Sequence, residues 1–173
     1  RDGARARALL REAGTPAPVI SLMTPTESTT LQIAQVIQAL TKEAGFDVRI
    51  VATEFASSLN AADRGDFEAY LLAWSGRADP DGNLYNFVAC RGPLNYAKYC
   101  KPEVEALLEK ARTTAAPEDR AKLYSEIAAH TLKDRPIIYL YHRKWLYAHT
   151  ARLQGFKTIP DGLVRIQGLR LGG

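Results

Sequence analysis

Histidine and cysteine are scarce in this chain, with three of the first and two of the second in 173 residues. That scarcity removes most metal and nucleophilic chemistry. His130, His142 and His149 form no His-Glu-x-x-His pair, the spacing that sets two imidazoles on one helix face around zinc. Cys90 and Cys100 stand far from the Cys-x-x-Cys spacing of zinc ligands. No Gly-x-Ser-x-Gly elbow and no Gly-rich phosphate loop occurs. The reading therefore predicts no catalytic residue, no metal site and no cofactor. No apolar run approaches the roughly 20 residues that span a bilayer. Arg1-Asp2-Gly3 opens the sequence without a charged and then apolar leader, which leaves the compartment unspecified. The net charge of +4, from 23 basic against 19 acidic side chains, is mild. Arg1, Arg5, Arg7 and Arg11 crowd one predicted helix without interleaved aromatics, so they read as a solvated face and not as a nucleic-acid groove.

What is present is an ordinary core-forming composition, 46% hydrophobic and 24% charged, enough for one compact unit. Helices and strands alternate. Asp2 is placed to cap a helix over Ala4–Ala13, with Ala6, Leu9, Leu10 and Ala13 as its buried stripe and Gly14 as its terminator. Pro18–Met23 reads as a strand. Thr29 and Gln32 have capping-box spacing before a helix over Leu31–Ala44, where Ile33, Val36, Ile37, Leu40 and Ala44 share a face. Phe46, Val48 and Ile50 alternate with polar residues as in a half-buried strand, and Phe55–Ala62 is a short helix. Later helices are expected over Pro102–Thr113, burying Val104, Leu107, Leu108 and Ala111, and over Pro117–Leu132, burying Leu123, Tyr124, Ile127, Ala128 and Thr131. Arg135-Pro136 then breaks the pattern before a buried strand at Ile137–Tyr141, and Trp145–Ala148 reads as a further extended segment.

The stretch on which the rest turns is Ala69–Asn83. Phe67–Trp74 reads as a buried strand, closed by turn chemistry at Pro80-Asp81-Gly82-Asn83. Ligands of α/β sheets are met at the carboxyl ends of strands, so Trp74, Ser75, Gly76, Arg77 and Asp79 become contact candidates. The competing account has Trp74 capping a core and Arg77 solvated. Asp79, Asp81 and Asn83 imitate the first ligands of a calcium loop. The glycine is displaced to Gly82, however, and Cys90 stands where the bidentate glutamate belongs, so a turn is the better reading. Asp79 and Asp81 also raise a hydrolase alternative, which needs two carboxyl groups in separate acid and base roles.

Gly65-Asp66-Phe67-Glu68-Ala69, Trp74-Ser75-Gly76 and Asp79-Pro80-Asp81 resemble a signature of the bacterial extracellular solute-binding proteins of family 5. These are the dipeptide-, oligopeptide- and nickel-binding components of ABC importers. Tyr99-Cys100-Lys101-Pro102-Glu103-Val104 followed by Glu105-Ala106-Leu107-Leu108, then Arg120 to Tyr124 and Arg135 to Leu140, resemble further motifs of that family in order. The resemblance implies an α/β fold, a periplasmic-binding-protein-like (type II) lobe with a mixed sheet flanked by helices. It places residues 1–150 as the second, C-terminal ligand-binding lobe and residues 151–173 as a segment returning toward a first lobe. It further implies a periplasmic or extracellular, membrane-associated protein. Such a protein captures a peptide or other small solute, delivers it to a membrane permease, is monomeric when whole, and is prone to self-association as a fragment. A plain interaction module is the remaining alternative.

Two residue-level expectations follow from that resemblance. Cys90 and Cys100 flank the loop 91–99 and are either two separate buried thiols or a disulfide; the extracytoplasmic site implied by the family favours the bond. Trp74, Ser75, Gly76, Arg77 and Asp79 become ligand-binding residues, with Tyr141 added to them. In peptide-binding members an aspartate stands three residues after this tryptophan and pairs with the ligand's ammonium group. Here that position is Arg77, which would repel an ammonium and bind a carboxylate or another acceptor. Asp79 could substitute from two residues on. Otherwise Arg77 points to water or pairs with Asp79 or Asp81.

Overall fold

Parallel pairing between two seven-residue strands, β1 (Val19–Pro25) and β2 (Asp47–Thr53), runs in register from Val19 opposite Asp47 to Pro25 opposite Thr53. The computed structural model describes residues 2–159 and 161–173; Arg1 and Pro160 lie outside the described residues. The chain divides into two units, one ending at Trp74 and one beginning at Ser75.

In the first unit, helix α1 (Gly3–Glu12) precedes β1, α2 (Ser28–Lys42) connects β1 to β2, and α3 (Phe55–Arg64) leads to β3 (Ala69–Tyr70). The three-stranded sheet has the order β2-β1-β3 and is parallel throughout. Leu22, Ala34 and Val48 form its buried cluster, with Ile20, Ile37, Phe46, Ile50, Ala69 and Leu71 packed around them.

Asp2 caps α1 through the Arg5 amide at 2.9 Å, and Gly14 in the left-handed region (φ 73°) ends it. The stripe expected on α1 is not buried, and Leu9 is 54% exposed. The expected cap of α2 is also different. Glu27, extended just before the helix, accepts from the Thr29 and Thr30 amides and from the Thr30 hydroxyl, so the box of Thr29 with Gln32 does not form. On α2 the buried position is Ala34, while Val36 and Leu40 remain exposed. Glu54 repeats the device on α3, accepting from the Ala56 and Ser57 amides.

The strand expected over Phe67–Trp74 is paired only at Ala69–Tyr70, opposite Leu22 and Met23. The Leu71 amide still donates to the Met23 carbonyl at 2.9 Å. The next link would need an N–H from Pro25, which has none, and the ladder stops there.

The second unit contains α4 (Asp81–Val88), α5 (Pro102–Thr113) and α6 (Pro117–Asp134), followed by a short antiparallel pair, β4 (Leu153–Gln154) with β5 (Arg170–Leu171). Its core joins Val88 and Ala89 to Val104, Leu108 and Ala111 of α5 and to Leu123, Tyr124 and Ile127 of α6. Pro102 and Pro117 each occupy a first turn, where the missing N–H costs nothing. Cys90 and Cys100 are bonded, with sulfurs 2.13 Å apart and Cα atoms 4.4 Å apart. The loop they close is pegged from inside by Asn95, 6% exposed, whose side chain donates to the Ala89 and Tyr99 carbonyls and accepts from the Tyr99 amide.

Ile137–Tyr141, expected as a buried strand, is neither a strand nor buried: Ile137 packs on the core, but Ile138 is 75% and Tyr141 61% exposed. An apolar, β-prone run becomes a strand only where a sheet edge receives it, and this segment pairs with none among the described residues. Trp145–Ala148 is likewise irregular. In the closing segment Gly155 is required by geometry: its φ is 78°, and a Cβ there would lie 2.3 Å from the Gly168 carbonyl oxygen.

Candidate functional site

The candidate loop follows β3 after a short irregular stretch, Leu71 to Ala73. Trp74 closes the first unit at 42% exposed. Ser75 opens the second unit and Gly76 turns the chain in the left-handed region (φ 69°). Arg77 curls back on this turn, its Nη1 donating to Ser75 Oγ at 3.0 Å and to the Gly76 carbonyl at 2.9 Å. Its backbone is gripped from the other side: the Arg77 amide donates to Asn83 Oδ1 at 2.6 Å and Asn83 Nδ2 donates to the Arg77 carbonyl at 2.7 Å. A side-chain amide thereby imitates the neighbouring strand that the loop lacks. Gly82 leaves room for the arrangement, since a Cβ there would meet the Arg77 side chain at 3.0 Å.

Ser75, Gly76 and Arg77 are therefore brought together, and Asp79 is engaged elsewhere. Its carboxylate forms a two-pronged pair with Arg120 of α6, both oxygens at 2.7 Å, and also accepts from the Asp81 amide at 2.8 Å. The Arg120 guanidinium, aided by that amide, lowers the Asp79 pKa from 3.8 to about 2. Arg120 is itself seated, with Nε on the Ala111 carbonyl at 3.2 Å and the guanidinium 5.2 Å from the centre of the Tyr124 ring. Asp81 faces Arg112 of α5. One of its oxygens is buried without a hydrogen bond and lies 3.5 Å from Arg112 Nε, an ion-pair distance. Arg112 in turn sits 4.1 Å over the Tyr85 ring. A hollow of about 260 Å³ is lined by Asp79, Asp81, Gly82, Arg112 and Arg120, two carboxylates against two guanidinium groups.

This pairing changes three sequence expectations. Asp79 is committed to Arg120, so it is not placed to substitute as an ammonium partner. Arg77 is bonded to Ser75 and Gly76, while Asp79 and Asp81 face Arg120 and Arg112 instead. Asp79, held by the Arg120 fork with its pKa lowered to about 2, is also not placed to act as the acid of a hydrolase pair. Tyr141 stands exposed in the irregular segment after α6. Sequence reasoning missed Asn83 as the clasp on Arg77, and Arg112 and Arg120 as the partners of the two aspartates. The available signal was two carboxylates around Pro80 against one nearby cation, Arg77, which leaves a place for cations from a distant part of the chain. Among the described residues no group of three or more His, Cys, Asp and Glu side chains could hold a metal, and no helix is long and apolar enough to cross a membrane.

A parallel sheet of order β2-β1-β3 with helices connecting its strands has the fold of type II periplasmic binding proteins. AppA from Clostridium difficile, a putative peptide-binding protein, superposes with a TM-score of 0.86 at 23% identity, covering 99% of this chain and 37% of that one. The family model described as bacterial extracellular solute-binding proteins, family 5 Middle, matches residues 1–95. The chain belongs to that family. Di/tripeptide-binding protein 4 of Pseudomonas aeruginosa (strain UCBPP-PA14) is 33% identical over 168 residues, 92% of this chain and 32% of its own length. The periplasmic binding protein DppA of Helicobacter pylori, solved with the peptide STSA, is 29% identical with a TM-score of 0.70, covering 78% of this chain and 28% of that one. The chain thus spans about a third of the length of the curated relatives it matches.

Proposed function

We propose that this chain is part of the solute-binding component of an ABC importer. It contributes the second, C-terminal lobe, residues 1–150, and residues 151–173 lead back toward a first lobe. The whole protein, periplasmic or else extracellular and membrane-associated, binds a peptide or other small solute without catalysis, closes on it by hinge motion, and presents it to a membrane permease. It acts as a monomer. The observation that carries this reading is the family match over residues 1–95, which includes the whole candidate loop. The names of the peptide-binding relatives support a peptide as the first solute class to test.

Trp74, Ser75, Gly76, Arg77 and Tyr141 are the proposed solute contacts, and Arg77 sets the preference. A guanidinium held by Ser75 and Gly76 at the tip of this loop favours a carboxylate or another strong acceptor and disfavours an ammonium group. The test uses the two-lobed protein and two probes, Ala-Ala-Ala and succinyl-Ala-Ala, which carries a carboxylate where the first has an ammonium. Calorimetry should show tighter binding of the succinyl probe. Arg77→Ala should weaken it by about 1.5–3 kcal/mol, the range for a hydrogen bond to a charged group. Equal affinity of wild type and Arg77→Ala for that probe would falsify the assignment, and turnover of either probe would return the protein to the enzymes.

A further inference from the structure

The contacts around Asp79 form a continuous chain from helix α6 to the loop proposed to meet the solute. Arg120 cannot swing freely, because the Ala111 carbonyl holds its Nε at 3.2 Å and the Tyr124 hydroxyl accepts from its Nη2 at 3.3 Å. Its fork grips both oxygens of Asp79 at 2.7 Å. Pro80 confines the backbone of Asp79, so fixing the carboxylate also fixes the main chain behind it. That main chain is read by Asn83, whose Nδ2 donates to the Asp79 carbonyl at 3.1 Å and to the Arg77 carbonyl at 2.7 Å. Asn83 Oδ1 accepts the Arg77 amide, which sets the direction in which the Arg77 side chain leaves the loop.

A lone surface ion pair does little, because two flexible side chains must be ordered to make it. Here the guanidinium is ordered by its own helix and neighbour before Asp79 arrives, and the bidentate geometry adds direction to attraction. The two motifs that the sequence keeps 41 residues apart, Asp79-Pro80-Asp81 and Arg120 to Tyr124, are one piece of machinery in space.

We propose that Arg120 is a positioning residue for solute binding: acting through Asp79 and Asn83, it holds the Ser75–Arg77 turn in the shape that presents Arg77. This rests on the solute-binding reading above, although the hold on the loop can be judged without it. Binding of succinyl-Ala-Ala and Ala-Ala-Ala by the full-length protein is compared for wild type, Arg120→Gln, Asp79→Asn and the double variant. Amide hydrogen exchange is followed in the same proteins without probe.

Arg120→Gln and Asp79→Asn should each weaken whichever probe binds wild type, by about threefold to thirtyfold, the usual range for residues acting through others. The double variant should lose no more than either single one, as expected of two groups acting as a unit. Exchange at the Arg77 and Asp81 amides should speed up at least tenfold while α6 keeps its protection. Arg120→Lys, which retains charge without the fork, should recover only part of the affinity. Losses that multiply in the double variant, unchanged exchange at Arg77, or loss of protection along all of α6 would each overturn the proposal. If wild type binds neither probe, the peptide reading fails by itself. The exchange experiment then decides alone whether Arg120 shapes the loop.

Discussion

At the scale of single residues, the decisive fact is how carboxylates are employed. Asp79 has its pKa lowered from 3.8 to about 2 by Arg120 and the Asp81 amide, and Glu27 has its own lowered from 4.5 to about 2 by the Thr30 and Thr29 donors. Both folded values lie below the unfolded ones. The stability these groups contribute is therefore complete above the unfolded values and is lost as pH falls through 4.5 and 3.8 toward 2. Melting temperature followed by circular dichroism should be insensitive to Glu27 and Asp79 between pH 6 and 8 and should decline below about pH 4.5. Glu27→Gln and Asp79→Asn should each flatten part of that acid decline, and an identical decline in both variants would contradict the assignment. Glycine supplies a second residue-scale case. A Cβ at Gly92 would lie 2.5 Å from the Asn86 carbonyl oxygen, a backbone atom that cannot turn aside. Gly92→Ala should cost about 1–3 kcal/mol in chemical denaturation, as overpacking does.

At the scale of elements, the connection from α4 to α5 is held in two independent ways. The Cys90–Cys100 bond closes a loop of sequence separation 10, and Asn95 holds the same loop by three hydrogen bonds. Removing the bond should lower stability by about 2–3 kcal/mol on the loop-entropy estimate, without unravelling the turn. Non-reducing mass spectrometry of periplasmically expressed protein should find no thiol open to alkylation, and two alkylated cysteines would contradict the bonded form. The packing of α5 on α6 depends on Leu108 and Ile127, both 0% exposed. Ile127→Ala should cost about 2–5 kcal/mol in the second unit, the range for emptying a fully buried aliphatic site.

At the scale of the whole molecule, a large amount of apolar surface is left uncovered. In the second unit Ile138 is 75%, Leu146 92% and Ile166 81% exposed, and in the first Val36 and Phe55 are each more than half exposed. Exposed apolar side chains in such number favour association with a partner. The 173-residue chain by itself should self-associate in light scattering at micromolar concentration, while the full-length protein should be monomeric. A monodisperse monomer of the short chain would argue against residues 151–173 leading back to a further lobe.

The sequence by itself determined what depends on neighbours along the chain. Apolar periodicity placed α5 and α6 with Val104, Leu108, Leu123 and Ile127 inside, turn residues marked the end of α1 at Gly14, and ordered motifs indicated the family. Tertiary structure decided whatever depends on distant partners. The sequence has equal reason to expect strands at Phe67–Trp74 and Ile137–Tyr141. The first is cut short where Pro25 withholds an N–H, and the second pairs with no sheet edge among the described residues. The candidate loop divides in the same way. Its place after Trp74 is legible from apolar run and turn chemistry, whereas the engagement of Asp79 was not, because its partner Arg120 lies 41 residues along the chain on a helix whose position against the loop only packing could set.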